Sequence, residues 1–402
     1  AEQDGEGARD LLTGVTSFTG DGPEGGQLPR LDYLLTDRDW DPAADVPGGP
    51  GWTVELMENK EDYKSEALDK FGTALERATT DEAGPEARRL VEAIIYETGA
   101  DEQAMGYANG ATPGEGKTGD GATPDLIAPQ LRDSMAHITA AYIVDVNLNI
   151  AEGNQAVPGE TIQVNRTDLV RFLADIGKDE GAHSIVGKAE AVYTAGSYDE
   201  ILSGRRNPSD DMNGHLRAME VVSRQYGSVM GALDFGAADA HHTTSAELDE
   251  KQNKIVEDRY KVVGFIADQV VGKTAEKVPV PVVGDLAGEF VGGVLTDLEE
   301  QAKVDNQGRA VYEVSEILGA GRTTAVDLAE LALYNSGKLE NLPEQLVLNG
   351  EPKPVSQWTN QDLQLWQRYK SDFGQSTLSS AAGAAGDSYQ SGWEWMRDIY
   401  NK

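Results

Sequence analysis

The chain is 402 residues long and carries 69 acidic against 34 basic side chains, a formal net charge of -35, with no cysteine. Such a surface argues against nucleic acid and anionic membranes as partners, and the missing thiols exclude disulfides, cysteine nucleophiles and cysteine metal sites. The length gives room for two or three domains, or one extended helical body with a sizeable core.

The chain does not open on a charged stretch followed by an apolar run, so any signal peptide is expected to have been removed or never to have existed. Residues 1–58 are rich in Gly, Pro and Asp and are expected as an extended arm on the surface. Asp37, Asp39 and Asp41 alternate like the start of a calcium loop. Pro42 stands where that loop needs glycine and Gly48 where it needs glutamate, so the segment reads as a solvated acidic turn.

An N-terminal helical region is expected over residues 59–208. Tyr63, Ala67, Phe71, Ala74 and Ala78 recur at helical spacing, and Gly84-Pro85 separates them from a second helix holding Val91, Ile94 and Ile95 and ended by Gly99. Gly106 to Thr123 is a glycine-dense loop. Within it Ala111 to Thr118 fits a relaxed phosphate-loop pattern, with Gly116, Lys117 and Thr118 as the phosphate-binding candidates. A working phosphate loop joins a buried strand to a helix N-terminus. Tyr107 to Gly110 is no strand, and Gly119 to Pro124 bars a helix, so no nucleotide or other cofactor is expected. A second accidental match, Ala267 to Thr274, falls in a helical pattern.

Asp125 reads as the cap of a long helix with Leu131, Met135, Ile138, Tyr142 and Val146 on one face and His137 at the edge of that stripe. A helix from Thr167 through Leu169, Phe172, Leu173 and Ile176 ends at Gly177, and another through His183, Val186, Ala189, Val192 and Tyr193 ends near Gly196.

A C-terminal helical region is expected over 209–402, built on a central hairpin. Ser209 caps a helix whose Met212, Leu216, Met219, Val222, Tyr226, Val229 and Leu233 alternate gaps of three and four. A second helix opens at Thr244, with Glu247 completing a capping box, and Pro279 and Pro281 stop it. A third, from about Val283 to Lys303, carries Gly284, Gly288 and Gly292, whose cost of roughly 1 kcal/mol each calls for close approach of a neighbouring helix. Asp268, Lys273, Asp285, Glu289 and Asp297 oppose reading Val262 to Leu298 as a membrane-inserting hairpin, since each charge near a bilayer centre costs roughly 2.5–3.5 kcal/mol.

Downstream, Val311, Val314, Ile317 and Leu318 form a short helix ended by Gly319 and Gly321, and Thr324 with Asp327 caps another. Gly337 to Pro354 is irregular, with Leu346 to Leu348 a short strand or buried loop. A last helix holds Trp358, Leu365, Trp366 and Tyr369. The Ser/Ala/Gly tract to Gly386 then precedes Trp393, Trp395, Met396 and Tyr400, an aromatic tail expected to dock on a core.

Metal candidates are His241 and His242, with Asp239 and Asp234 as oxygen donors. Adjacent histidines point about a hundred degrees apart on a helix and need a third ligand from elsewhere, so solvated side chains at a helix terminus are the expectation and no metal is assigned. No Gly-x-Ser-x-Gly elbow or His-Glu-x-x-His pair occurs, and no catalytic residue is assigned.

Gly231-Ala232-Leu233-Asp234-Phe235-Gly236-Ala237-Ala238-Asp239-Ala240, with Val278 to Asp285, Leu131 to Met135 and Tyr142 to Val146, resembles an uncharacterised family of large, mostly helical actinobacterial proteins. The resemblance implies export or cell-surface exposure, sometimes beside WXG-type hairpins handled by type VII secretion, and carries no activity or catalytic residue. The chain shows no WXG turn at its start. Tyr33 and Asp37 match the Tyr-x-x-x-Asp spacing of such export signals, in a proline-flanked loop.

The reading is therefore an all-α protein, exported or on the cell surface, that is not an enzyme and acts by binding or assembly with a protein partner or with itself, without nucleic acid or membrane. A toxin-like effector inserting residues 262–298 into membranes is the first alternative. A hydrolase using the 111–118 loop or an acidic cleft is the second.

Overall fold

The computed structural model describes residues 60–81, 84–99, 125–151, 156–206, 211–240, 314–339, 341–373 and 377–400, together with a few positions between 7 and 35. The described residues are predominantly helical, with one two-stranded sheet, as the apolar periodicity predicts. In chain order the helices are α1 (Lys60–Thr80), α2 (Pro85–Gly99), α3 (Arg132–Ala141), α4 (Ile143–Ile150), α5 (Arg166–Gly177), α6 (Glu180–Leu202), α7 (Met212–Ala240), α8 (Val314–Asn335), α9 (Asn360–Phe373) and α10 (Thr377–Tyr400).

Helix α7 is the axis of the body. Asp211, not Ser209, caps it: the Asp211 carboxylate accepts the Gly214 amide at 2.6 Å, and an acid at that point also meets the positive end of the helix dipole. The predicted stripe holds, with Met219, Val222, Tyr226, Val229 and Leu233 buried. It is too narrow, however, because every residue from Gln225 to Ala237 is buried. A helix enclosed on all sides needs neighbours all round, and α4, α5, α6, α8 and α10 supply them.

Two of those neighbours come to backbone contact. A Cβ on Gly236 would lie 1.6 Å from the Ala174 carbonyl oxygen of α5, and one on Gly177 would lie 2.1 Å from the Leu233 carbonyl oxygen of α7. The α7/α10 crossing is reciprocal in the same way, Gly227 meeting the Tyr389 carbonyl oxygen and Gly392 that of Arg224, each at 2.4 Å. The close approach expected at Gly284, Gly288 and Gly292 lies outside the described residues, as does the whole of the 262–298 hairpin. The device itself operates in α5, α7 and α10.

Several expected boundaries move. The long helix after Asp125 is a 3-10 turn at Pro129–Leu131 followed by α3 and α4, broken at Tyr142, whose hydroxyl donates to the Thr79 carbonyl at 2.9 Å. Asp125 caps nothing there. Burial works against its charge, but Arg132 at 2.6 Å and Lys178 at 3.2 Å outweigh it and hold its carboxyl below the usual range. Asp175 of α5 joins this clasp by accepting the Ile127 amide at 2.9 Å, so the 125–131 segment is tied to the end of α5.

Helix α6 runs past Gly196, and α8 runs unbroken through Gly319 and Gly321, because tertiary packing overrides the modest helix penalty of glycine. The Ser/Ala/Gly tract is the first half of α10, where small side chains let a helix lie close. The aromatic tail docks as expected, with Met396 buried and Arg166 4.8 Å from the Trp395 ring centre. The last-but-one helix, α9, starts after Trp358, behind a capping box in which Asp362 accepts the Thr359 amide at 2.7 Å and Thr359 Oγ1 accepts the Asp362 amide at 3.3 Å.

The strand expected near Leu346 is the hairpin Val347–Leu348 with Glu351–Pro352. Its two-residue turn, Asn349 and Gly350, has both φ values positive, at 55° and 88°. In the segment expected as a surface arm, the described Ala8, Leu12 and Leu31 are instead core residues, and Arg9 donates to the Ala78 carbonyl at 2.9 Å. These apolar side chains belong to the common hydrophobic cluster. Buried residues from both sides of the 208/209 boundary belong to one hydrophobic cluster.

Candidate functional site

Helix α6 lies along α7 with a polar stripe on the covered face. His183, Gly187, Glu190, Thr194 and Tyr198 recur at gaps of three and four, and the four side chains among them are buried. Asp179 starts the helix, accepting the Ala182 amide at 2.9 Å.

At one end of the stripe His183 Nε2 lies 2.9 Å from Asp234 Oδ1 of α7, and the Tyr389 hydroxyl of α10 donates to Asp234 Oδ2 at 3.0 Å. Three helices thus converge on one carboxylate. Asp234, a candidate oxygen donor for a metal beside His241 and His242, is therefore turned inward and engaged by His183 and Tyr389. The carboxylate–histidine pair has the look of a catalytic orienting unit. The pair and Tyr389 are nearly wholly enclosed, with His183 3%, Asp234 2% and Tyr389 0% exposed, so a substrate has no access to them in this state.

In the middle of the stripe Glu190 is fully buried. Asn147 Nδ2 of α4 donates to its Oε2 at 2.5 Å and Thr194 Oγ1 to its Oε1 at 3.3 Å. Gln225 Nε2 of α7 donates to the Asn147 carbonyl at 3.1 Å, closing the network across three helices. Burial pushes the Glu190 carboxyl up to about 7. At the far end the Tyr198 hydroxyl and Ser223 Oγ are 2.7 Å apart, and Ser223 donates to the Met219 carbonyl at 2.8 Å. Burial raises the Tyr198 phenol above its ordinary range.

A separate acidic pair faces α9. Glu330 and Asp327, one turn apart on α8, lie 2.7 and 3.9 Å from Lys370 Nζ, and burial pushes the Asp327 carboxyl up to about 6. Two carboxylates sharing one ammonium form a clasp between helices; acid–base chemistry needs one of them free to reach a substrate.

Of the residues expected to carry chemistry, Gly116, Lys117, Thr118, His241 and His242 lie outside the described residues, and the side chain of Asp239 does too. His137 sits at the edge of its stripe, 3.0 Å from Glu76, which raises its pKa through a hydrogen bond. Among the described residues no three His, Asp or Glu side chains come together in a group able to hold a metal ion, and no helix is long and apolar enough to cross a membrane. Sequence reasoning missed Glu190. The signal was a single acid between Ala189 and Ala191, in phase with His183 and Tyr198.

No protein-family profile, curated protein or solved structure matches the chain.

Proposed function

We propose that the chain is an exported or surface-displayed helical protein that acts by binding or assembly and not by catalysis, in the company of type VII-secreted helical hairpins. The observation that carries the non-catalytic part is the use made of the motif Gly231 to Ala237. Its glycines bring α5 and α10 to backbone contact, and its aspartate is clamped between α6 and α10. Residues with chemical potential are spent on holding helices together. The acid surplus of the chain supports a partner with a basic face, or self-association once salt screens the repulsion.

Sedimentation velocity of the purified chain at low and high ionic strength, alone and with a WXG-type hairpin protein, tests this reading. A species larger than the monomer is expected in at least one condition. A strict monomer in all of them, at high protein concentration, overturns the proposal.

A further inference from the structure

An ionised carboxylate enclosed without a counter-ion is costly enough that such groups give up their charge instead. Glu190 is in that position, because its side chain is fully enclosed and both groups that donate to it, Asn147 and Thr194, are neutral. The charged groups on the surrounding helices are turned elsewhere. On α3 Arg132 goes to Asp125 and Asp175, and on α5 Asp175 goes to Arg132 and Lys178. On α4 Asp145 accepts the Ile162 amide, and on α7 Asp234 is held by His183 and Tyr389. On α7 also, Glu220 is only partly buried and Arg224 is exposed. On α8 Asp327 and Glu330 surround Lys370. The titratable groups that feel Glu190 are Tyr193 and Tyr198 of its own helix.

The two side-chain amides that continue its network, Asn147 and Gln225, each keep a buried oxygen, Oδ1 and Oε1, that accepts no hydrogen bond from the described residues. A carboxylate adds a third electron-rich group to two that already lack donors. A protonated carboxyl removes the charge and brings a donor.

We propose that Glu190 is a proton-operated lock on the α4/α6/α7 interface, closed when its carboxyl is protonated and loosened when it ionises. The folded-state pKa of about 7 stands above the ordinary 4.5, so the folded chain keeps a proton that the unfolded chain releases. The contribution to stability is complete below about pH 4.5. It falls as pH rises toward about 7, by roughly tenfold in the unfolding constant per pH unit, and stays low above that.

Urea unfolding of the whole chain and of Glu190→Gln, from about pH 5 to about pH 8.5, reads this directly. The glutamine keeps the size and the acceptor and is neutral throughout. The ratio of the two unfolding constants is expected to change by roughly tenfold per pH unit up to about pH 7 and then level off. Parallel curves overturn the proposal. Should the variant not fold, carbon NMR of the wild-type chain labelled at the glutamate carboxyls reads the same proton. A glutamate signal titrating near neutrality, with faster α4 amide exchange than hydroxide catalysis alone gives, is expected. Titration of every glutamate below about pH 5.5 overturns the lock.

Discussion

Helix α7 is buried by opposite means on two of its sides. Toward α5 and α10 it has shed side chains, and glycine lets main chains touch, as at Gly236 against Ala174 and Gly227 against Tyr389. Toward α4 and α6 it meets polar groups, and the interface holds by hydrogen bonds through Asp234, Ser223 and Gln225. The glycine contacts themselves have no titrating member and fail only by steric intrusion. The polar interface tolerates changes of shape better than changes of charge. One helix thus combines a rigid seam with a conditional one, and each can be broken separately.

The largest effect is expected at the glycine side. Gly236→Val puts atoms where the Ala174 carbonyl already stands, so α5 and α7 must separate, at a cost of about 3 kcal/mol or more in a denaturant melt. A loss under about 1 kcal/mol would mean that the crossing is looser than the backbone contact implies. On the polar side, Asp234→Ala removes the acceptor of both His183 and Tyr389 and is expected to cost about 2–4 kcal/mol, while Asp234→Asn keeps an acceptor for Tyr389 and loses less.

Tyr198→Phe is expected to cost only about 1 kcal/mol. Ser223 keeps its bond to the Met219 carbonyl, so no buried donor is stranded by the change. The smallest effect is a gain. A Cβ on Gly196 would meet nothing within 4 Å, so Gly196→Ala should stabilise α6 by about 0.5–1 kcal/mol, in contrast to every glycine at the crossings. If Gly196→Ala and Gly236→Val shift the melt in the same direction, the distinction between contact and spectator glycines fails.

Glycine is also where the sequence misleads. Gly99 and Gly177 end helices as predicted, but Gly196 and the pair Gly319 and Gly321 do not, and nothing local separates the two groups. The two glycines that end helices also sit against a partner main chain, Asp168 for Gly99 and Leu233 for Gly177, but so do Gly227 and Gly236 inside α7. Apolar periodicity was legible wherever one face is covered, as with Val91, Ile94 and Ile95 in α2 and Leu169, Phe172 and Ile176 in α5. It understated α7, which is covered on every side. The polar stripe was half legible. His183 and Tyr198 are in phase, yet the inward turn of Asp234 depends on His183 and Tyr389, 51 and 155 positions away. Such distances leave no local trace.

The reciprocal contact of Gly227 with Tyr389 and of Gly392 with Arg224 also sets an order of events. The two helices that meet there are 164 positions apart at the Ser228–Gly392 bond, so the groove on α7 stays open until α10 has emerged. Closing so long an interval is entropically slow, and contacts of high sequence separation form late. A chain still being synthesised therefore holds α7 uncovered along its glycine face. Its body locks when α10 arrives, and the chain stays pliable until then.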